Sequence, residues 1–472
     1  MRPMFKTISA AATLLSAIAP GLTPAFAQDT SPTVQPTAAP PQLPAPEVPI
    51  PPLSAAQKAF LAKWVKGGSA QGLGAAQLDD QALSDSALIK AALDRAHALH
   101  NGRVAPSDFL DIWALRPSAY DPRPGFAKAV ADDKVQAWAE NQSPPYAGYE
   151  GLRLGLQNYR RIASEGGWPK LAAGASESAI RKRLAVEDKS STGQSLTAAL
   201  QQAQRRYGLR PTGTLDTATI EALNVPVESR INSIMANMER WRWMPREMPV
   251  NRVQVNIAAA VLTVFEGDQP VNSMRAVTGR PGNETPMLVS TIHSIVVNPP
   301  WNVPTSIAKK ELLPQGRQTL INRGYRFIKT EGGGERLQQA PGPNNSLGRL
   351  KFDFDNPFAV YLHDTPARGK FASYDRLASH GCIRLEKPVD LADLMLGNNP
   401  DFNGSVQTLI DADKTQRVSL SQKVSVYLLY WTAFAGNDGV MNFRSDPYGW
   451  DRLLATKIEK SSQSARSNIT AS

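Results

Sequence analysis

The spacing of apolar residues along the chain changes near residue 249, and this change sets the class of fold. Before it, apolar residues recur every three or four positions, as in DSALIKAALDRAHAL (85–99) and YEGLRLGLQNYRRIA (149–163), which is typical of amphipathic helices. After it, Val253 and Val255 alternate with polar residues, as in a half-buried β-strand. The chain has 472 residues, more than one ordinary domain needs. We therefore predict a multidomain α+β protein in which helical domains precede a mostly β domain.

The first 27 residues have the three-part layout of a secretory signal peptide. Arg2 and Lys6 supply positive charge, residues 8–19 form an apolar run, and Ala25-Phe26-Ala27 matches the A-x-A cleavage pattern. The apolar run is too short to cross a bilayer, although an uncleaved anchor or a buried core helix is the alternative. We therefore predict cleavage after residue 27 and export to the periplasm or cell envelope, with no membrane-spanning segment after cleavage.

Composition and apolar spacing predict a linker, a helical domain and a tail in the remaining chain. Residues 28–53 are rich in Pro, Ala and Thr and cannot bury a core, so we predict a semi-extended linker. Residues 54–190 have helical spacing and are predicted to form a helical scaffold domain. At the other end, residues 455–472 are mostly small and polar, and we predict a disordered tail.

Residues 191–245 have the pattern of a small three-helix unit. The first helix carries apolar residues at helical spacing, the turn Pro211-Thr212-Gly213 follows, and Asp216 is placed to cap the second helix. The third helix has one apolar stripe, made of Ile231, Ile234, Met235 and Met238. This arrangement resembles the peptidoglycan-binding domain found on many cell-wall enzymes. A helical bundle that serves only as a spacer is the alternative.

Residues 246–415 are predicted to form a mostly β domain, and residues 416–454 a C-terminal strand segment. Strands are predicted at residues 291–298, 358–363 and 424–434. Between them, residues 304–338 form a partly helical excursion that contains three consecutive glycines. An insertion of this size with a glycine cluster suggests a mobile lid, and a passive surface excursion is the alternative.

The chain has a single cysteine, Cys382, so no internal disulfide can form even in an oxidising compartment. Cys382 lies in SHGCIRL (379–385), where positive neighbours and main-chain N–H groups favour the thiolate that a nucleophile needs. Gly381 leaves room for a substrate carbonyl to approach the main chain. His363, which ends a predicted strand, is a candidate general base. A buried, inert thiol is the alternative.

SHGCIRL, preceded by LHDT (362–365), resembles the active-site signature of the L,D-transpeptidase (YkuD-type) catalytic domain. The resemblance extends through TPMLVSTIHSIVVNPPWNVP (285–304) and QQAPGPNNSLGRLKF (338–352). With the regions upstream, the chain is similar to the large multidomain branch of that family. The resemblance implies a helical scaffold and a small peptidoglycan-binding domain, followed by a mostly β L,D-transpeptidase catalytic domain.

The resemblance also implies roles for single residues. Cys382 is the expected nucleophile, His363 the base that takes its proton, and the main-chain N–H groups of Gly381 and Cys382 the expected oxyanion hole. The expected supporting residues are Ser379 and Arg384, which shape the loop, His380, which orients it, and Trp301 and Tyr361, which line the donor groove. Arg384 is expected to meet a substrate carboxylate or to form a structural ion pair, and Trp301 could equally be core. Asp364 stands where many smaller members have glycine, so either a side chain or a backbone carbonyl orients His363.

The implied activity is formation of 3→3 cross-links in peptidoglycan. Cys382 would attack the carbonyl at the L-centre of a diamino acid in a tetrapeptide stem and form a thioester as D-Ala leaves. The side-chain amine of a neighbouring stem would then accept the acyl group. Water as acceptor would make the same site an L,D-carboxypeptidase, and a wall-binding scaffold with a silent catalytic domain is the third hypothesis.

Charge is consistent with peptidoglycan as the partner. The formal net charge is +10 and the isoelectric point about 9.5, which suits the free carboxylates of a cell wall. We find no nucleic-acid-binding module and expect no nucleic-acid partner. His97 and His100 lack a third ligand nearby, so we expect no metal and no other cofactor. Cell-wall synthesis proteins are possible further partners.

Overall fold

The computed structural model describes residues 48–73, 84–397, 399–400 and 402–459. The predicted signal peptide, most of the predicted linker and residues 460–472 of the predicted tail lie outside this part of the chain. Two residues at the end of the predicted linker are packed: Ile50 contacts the core of the N-terminal helices, and Leu53 is buried in it. Residues 455–459, which we predicted to be tail, belong to a helix with Ile458 in the core of the β domain.

The N-terminal region is helical, as its apolar spacing predicts. Its helices are α1 (Ala55–Lys66), α2 (Asp85–Asn101), α3 (Arg123–Ala131), α4 (Val135–Glu140), α5 (Ala147–Ser164) and α6 (Glu177–Glu187). Helix α1 begins with a capping box, in which Ser54 and Gln57 exchange hydrogen bonds between side chain and main chain. Helix α5 buries Leu152 and Leu156, while Gly151 and Gly155 leave room for the C-terminal hairpin to approach its backbone.

The small helical unit is composed differently from our prediction. After α6 come α7 (Leu196–Arg206), α8 (Thr217–Leu223) and α9 (Val227–Arg242). One apolar cluster unites α6, α7 and α8 through residues such as Leu184, Leu200 and Leu223. Helix α9 instead buries Ile234 and Met238 against α5, in a cluster that includes Leu152 and Leu156. The third helix that we predicted for the small unit therefore packs with the scaffold helices.

A nine-stranded sheet dominates the C-terminal half. Its strands are β1 (Asn251–Asn256), β2 (Val261–Glu266), β3 (Gln269–Gly279), β4 (Leu288–Val297), β8 (Leu350–Phe354), β9 (Leu362–His363), β10 (Leu377–Ser379), β11 (Ile383–Leu385) and β12 (Gln416–Leu429). Their order in the sheet is β10-β3-β11-β9-β8-β4-β12-β1-β2, and β2 also pairs with β3, so the sheet curls back on itself. Helices α12 (Pro388–Leu396) and α13 (Val406–Asp411) pack on its apolar side. The fold class that we predicted, α+β with a mostly β C-terminal domain, is confirmed.

The C-terminal segment joins both halves of the fold. Strand β12 lies between β1 and β4, in the interior of the sheet, rather than forming a separate unit. The predicted strand 424–434 is wrong at its end, because β12 stops at Leu429 and a short hairpin follows, made of β13 (Ala433–Ala435) and β14 (Met441–Phe443). This hairpin packs on α5 and α9, and the final helix (450–459) packs on the sheet core through Trp450 and Leu454.

The excursion at residues 304–338 is a folded insertion with its own core. It contains α10 (Thr305–Ile307), which continues as a π-helical turn through Leu312, and α11 (Arg317–Asn322). Its strands β6 (Tyr325–Lys329) and β7 (Glu335–Gln339) pair with each other, and β7 also pairs with β5 (Trp301–Asn302). The three glycines lie in the β6–β7 turn, where Gly333 has a positive φ of 75°. The lid function of this insertion stays a prediction.

Candidate functional site

The pairing of β9 with β11 brings the LHDT and SHGCIRL motifs together. The strands are parallel, with Leu362 opposite Ile383 and His363 opposite Arg384. Leu362, Ile383 and Leu385 have no exposed surface and point into the apolar core. Because side chains alternate between the two faces of a sheet, Tyr361 and His363 of one strand share the other face with Cys382 and Arg384. His363 and Cys382, which are 19 residues apart in the sequence, therefore lie on the same face of the sheet.

His363 is buried, with 5% of its surface exposed. Its Nδ1 lies 2.5 Å from the main-chain oxygen of Asp364, so the hydrogen on Nδ1 donates to this carbonyl and Nε2 is left to accept a proton. Burial and, to a smaller extent, the nearby Arg384 guanidinium lower the pKa of His363 to about 3. His363 is therefore a neutral imidazole in the ordinary pH range, with a fixed tautomer.

The carboxylate of Asp364 does not orient the histidine ring. It accepts hydrogen bonds from the main-chain N–H of Arg349 (2.8 Å) and from the guanidinium of Arg368 (3.1 Å). These bonds fix the turn 347–349, whose Leu347 backbone also forms a hydrogen bond with His363. Of the two alternatives left open by the sequence, the backbone carbonyl is the group that holds the ring.

The Cys382 thiol is partly exposed in a mostly buried setting. Burial raises its pKa, whereas interactions with the main chain and hydroxyl of Tyr361, and the positive charges of Lys351 and Arg384, act in the opposite direction. The net shift is upward, so burial outweighs the positive neighbours that we expected to favour the thiolate. In the resting state the thiol of Cys382 and the imidazole of His363 are therefore both neutral.

This protonation state predicts the pH dependence of thiol alkylation. We expect the rate at which iodoacetamide alkylates Cys382 in the folded chain to rise with a midpoint above the ordinary thiol pKa, because the thiolate is the reacting species. The same cysteine in urea-unfolded chain is the control, and no second cysteine complicates the measurement. A folded-state midpoint below that of the unfolded chain would show a thiolate–imidazolium pair instead.

Ser379 shapes the loop that carries the cysteine. It is buried, and its Oγ donates to the main-chain oxygen of Cys382 (2.5 Å) and accepts from the main-chain N–H of Gly381 (3.1 Å). Gly381 has a φ of 115°, which a residue with a side chain rarely adopts. Because the Gly381 N–H is already bonded, it is a weaker candidate for the oxyanion hole than we expected. The Cys382 N–H has no hydrogen-bond acceptor within the described part of the chain, so it is the better candidate.

Tyr361 and Trp301 lie at the edge of the same patch. The Tyr361 ring is T-shaped against His363, with ring centres 5.6 Å apart, and the Lys351 ammonium lies 4.5 Å from its centre. Burial raises the pKa of Tyr361, and a hydrogen bond with the Trp301 indole acts against this shift. Trp301 also packs on the core of the insertion, 6.5 Å from the Tyr325 ring. Trp301 thus contacts both the site and a separate core.

His380 and Arg384 face different surroundings. The Nε2 of His380 lies 2.6 Å from the Glu311 carboxylate of the insertion, and Arg280 lies 3.5 Å from the same carboxylate. The hydrogen bond with His380 lowers the pKa of Glu311. His380 therefore connects the loop to the insertion and is not paired with the thiol. Arg384 forms no ion pair with any carboxylate among the described residues, and its charge acts on Cys382 and His363.

Three residues near the site were missed in the sequence. Lys351 lies opposite His363 on β8, and strand alternation in LKFDF (350–354) could have placed it on the polar face. Thr285 donates a hydrogen bond to Gly381, and Tyr448 contacts Thr285 from the C-terminal segment. Neither has a local signal, because each depends on a contact between residues about one hundred or more positions apart.

A separate groove lies beside the small helical unit. It is open, has a volume of about 370 Å³, and lies between α7 and the β13–β14 turn. Its lining residues are Gln202, Arg205, Arg206, Gly436, Asn437, Asp438 and Asn442. Arg206 is neutralised by ion pairs with Asp188 and Asp438, whereas Arg205 is exposed. The groove offers amides and one free positive charge to a polar, anionic ligand.

Three further observations concern metal binding and membrane insertion. His100 is stacked on Tyr120 with ring centres 3.7 Å apart, a packing contact that occupies one face of its ring. In the part of the chain described, no three His, Cys, Asp or Glu side chains are grouped as metal ligands would be. Over the same residues, no helix has both the length and the apolar character to cross a membrane.

Sequence comparison matches three regions of the chain to known domain families. Residues 250–418 match the L,D-transpeptidase catalytic domain, residues 47–156 a scaffold domain, and residues 185–223 a family described as "Putative peptidoglycan binding domain". The first match spans the β9–β11 patch, and the third spans α7 and α8.

The chain is also similar to individual proteins. A curated Haemophilus influenzae protein named "Putative L,D-transpeptidase" is 30% identical over 247 residues, which are 48% of this chain and 50% of that protein. The chain thus spans about half the length of this relative. An L,D-transpeptidase structure from Mycobacterium smegmatis is 16% identical with a TM-score of 0.22, covering 38% of this chain and 58% of that one. One from Stackebrandtia nassauensis is 14% identical with a TM-score of 0.21, covering 58% and 89%. These structural likenesses are too weak to carry an argument, so the similarity to L,D-transpeptidases rests on the sequence matches.

Proposed function

We propose that this chain is a cysteine acyltransferase that forms 3→3 cross-links in peptidoglycan, and the match of residues 250–418 to the L,D-transpeptidase catalytic domain supports this proposal. The observation that carries the proposal is the shared sheet face of β9 and β11. It holds the only cysteine of the chain beside a histidine whose Nδ1 is bonded to a backbone carbonyl. That arrangement leaves Nε2 of His363 to act as the base for Cys382.

In the proposed first step, Nε2 of His363 takes the proton of Cys382 as sulphur attacks a carbonyl of a tetrapeptide stem. This carbonyl belongs to the L-centre of the diamino acid at position three. The tetrahedral oxyanion accepts a hydrogen bond from the Cys382 N–H. The C–N bond to D-Ala then breaks, and the imidazolium returns its proton to the leaving amine, so that a neutral imidazole and a thioester remain.

In the second step, the side-chain amine of a neighbouring stem attacks the thioester. His363 accepts the proton from this amine and delivers it to the leaving sulphur, which restores the resting thiol. An imidazole with a pKa of about 3 is free to accept a proton but is a weak base, so both steps require that the imidazolium be stabilised once substrate is bound. A substrate carboxylate bound to the unpaired Arg384 would offset its charge near His363 and make the imidazolium easier to form.

The other domains are proposed to bring the enzyme to its substrate. The match at residues 185–223 and the groove beside Arg205 support wall binding by the small helical unit. The net charge of +10 favours association with the carboxylates of the wall, at a strength that salt reduces. We propose the cell envelope as the location and the predicted signal peptide as the means of export. The predicted domain limits, with the corrections described above for the linker end, α9, β12 and residues 455–459, and contacts with cell-wall synthesis proteins belong to the same proposal.

Product analysis tests this function. Incubated with purified tetrapeptide muropeptides, the chain is expected to yield cross-linked dimers and free D-Ala, detected by mass spectrometry. Cys382→Ala is expected to yield neither, because it lacks the nucleophile. Tripeptide with free D-Ala and no dimers would replace the proposal with an L,D-carboxypeptidase. Dimers from both proteins would contradict the role of Cys382.

A further inference from the structure

A tyrosine from the C-terminal segment contacts the support of the catalytic loop. Tyr448 lies 30 residues beyond the matched catalytic domain, which ends at residue 418. Its hydroxyl donates to the main-chain oxygen of Gly279 (2.6 Å) and accepts from the main-chain N–H of Thr285 (3.3 Å). The hydroxyl thus joins the end of β3 to the segment that follows it.

Thr285 transmits this contact to the loop that carries Cys382. It is fully buried, its Oγ1 donates to the main-chain oxygen of Gly381 (2.7 Å), and the N–H of Gly279 donates to Oγ1 (2.9 Å). Tyr448 and Thr285 therefore hold both main-chain polar groups of Gly279 between them. This closed set of hydrogen bonds fixes the Thr285 hydroxyl in one position.

The Thr285 bond sets the direction of the peptide N–H that precedes the thiol. The peptide between Gly381 and Cys382 is trans and planar, so its C=O and N–H point in opposite directions. A hydrogen bond that holds the Gly381 C=O on Thr285 therefore turns the Cys382 N–H away from Thr285. With Ser379 holding the next carbonyl, the N–H that we propose as oxyanion donor has one orientation.

Tyr448 is itself held in place. Its ring is stacked on Tyr430 with centres 5.2 Å apart, and its main-chain N–H donates to the Tyr430 hydroxyl (3.2 Å). Tyr430 in turn donates to Asp446 (2.8 Å). Burial raises the pKa of Tyr448 to about 12, so its hydroxyl keeps its hydrogen in the ordinary pH range.

We propose that Tyr448 is a positioning residue for acyl transfer, which acts through Thr285 and Gly381 to aim the Cys382 N–H at the oxyanion. The C-terminal segment thereby completes an active site whose reacting groups all lie in the catalytic domain. The inference rests on the proposed cysteine chemistry, and it requires no particular stem peptide.

Two reactions of the Cys382 sulphur distinguish a loss of oxyanion positioning from a general disturbance of the active-site structure. Acylation by p-nitrophenyl acetate passes through a tetrahedral oxyanion, whereas alkylation by iodoacetamide does not. We expect Tyr448→Phe to slow acylation by about tenfold or more, somewhat less than the loss of an entire oxyanion donor. Alkylation is expected to stay within about twofold, with an unchanged pH midpoint. Tyr427→Phe is the matched control, since this buried tyrosine of β12 bonds to neither Thr285 nor Gly279, and both its rates are expected to be unchanged.

Thr285 provides a second, independent variant. Thr285→Ser keeps the hydroxyl and is expected to acylate within about threefold of the wild-type rate, whereas Thr285→Val is expected to match or exceed the loss in Tyr448→Phe. Equal losses of acylation and alkylation, or no loss of acylation in Tyr448→Phe and Thr285→Val, would overturn the inference. A wild-type chain that acylates but forms no muropeptide products would reject the proposed substrate while leaving the inference supported by the variants. A wild-type cysteine that no ester acylates would overturn both.

Discussion

His363→Gln is expected to lower kcat/KM for muropeptide turnover by about 10²- to 10⁴-fold, because the glutamine amide cannot take a proton from Cys382. The resting thiol is neutral, so little thiolate exists without the base. Both steps of the proposed mechanism pass a proton through Nε2 of His363, whereas the nearby His380 is bonded to Glu311 of the insertion. The loss is expected at every pH between about 5 and 8, because His363 with a pKa of about 3 is unprotonated throughout this range.

His293→Gln is the control for this change. His293 lies on β4, is partly exposed, and contacts the Ser294 hydroxyl rather than the site. Its variant is expected to retain nearly full activity. A His363→Gln protein that keeps more than a tenth of wild-type kcat/KM would mean that another group takes the thiol proton.

Glu239→Ala is expected to cost about 3–5 kcal/mol of unfolding free energy, the largest effect on stability that we predict. The Glu239 carboxylate has no exposed surface and lies 2.7 Å from the guanidinium of Arg242, which is also fully buried. It also accepts main-chain hydrogen bonds from Arg103 and Val104, which follow α2. Removing the carboxylate would leave a buried cation and two main-chain donors without their partner.

Urea denaturation of the full chain measures this effect. Glu221→Ala, on the exposed side of α8, is the control and is expected to change the unfolding free energy by less than about 0.5 kcal/mol. Glu239→Gln is expected to fall between the two, since its amide can still accept the main-chain hydrogen bonds. A loss below about 1 kcal/mol in Glu239→Ala would mean that the buried ion pair contributes little and that the helix repacks around the change.

Much of the fold could be predicted because it depends on local periodicity. The helical spacing before residue 245 and the alternation after residue 249 give the correct class of structure in each region. What local patterns could not give was the order of the strands. Strand β12 lies between β1 and β4, and nothing in its own sequence distinguishes an interior strand from the start of a separate unit. The position of α9 was missed for the same reason, since an apolar stripe does not specify which surface it covers.

For the candidate site too, local sequence motifs predicted the reacting residues but not their three-dimensional surroundings. Two short motifs contain Cys382 and His363, and the pairing of β9 with β11 places both residues on the same face of the sheet. The group that holds His363 is a main-chain carbonyl, which no side-chain pattern can reveal. The partner of His380 is Glu311, from the insertion 69 residues upstream. The sequence favoured a thiolate because it shows the positive neighbours of Cys382, whereas the burial that raises its pKa appears only in three dimensions.

The acyl-enzyme is the central claim, and intact-mass spectrometry tests it most directly. The chain is incubated with a tetrapeptide stem whose side-chain amine is blocked, so that no acceptor is present, and the reaction is quenched in acid. We predict an added mass equal to that of the stem minus that of free D-Ala, located by proteolysis on the peptide that contains Cys382. No such mass is expected for Cys382→Ala. An adduct on another residue, or D-Ala release by Cys382→Ala, would contradict the account.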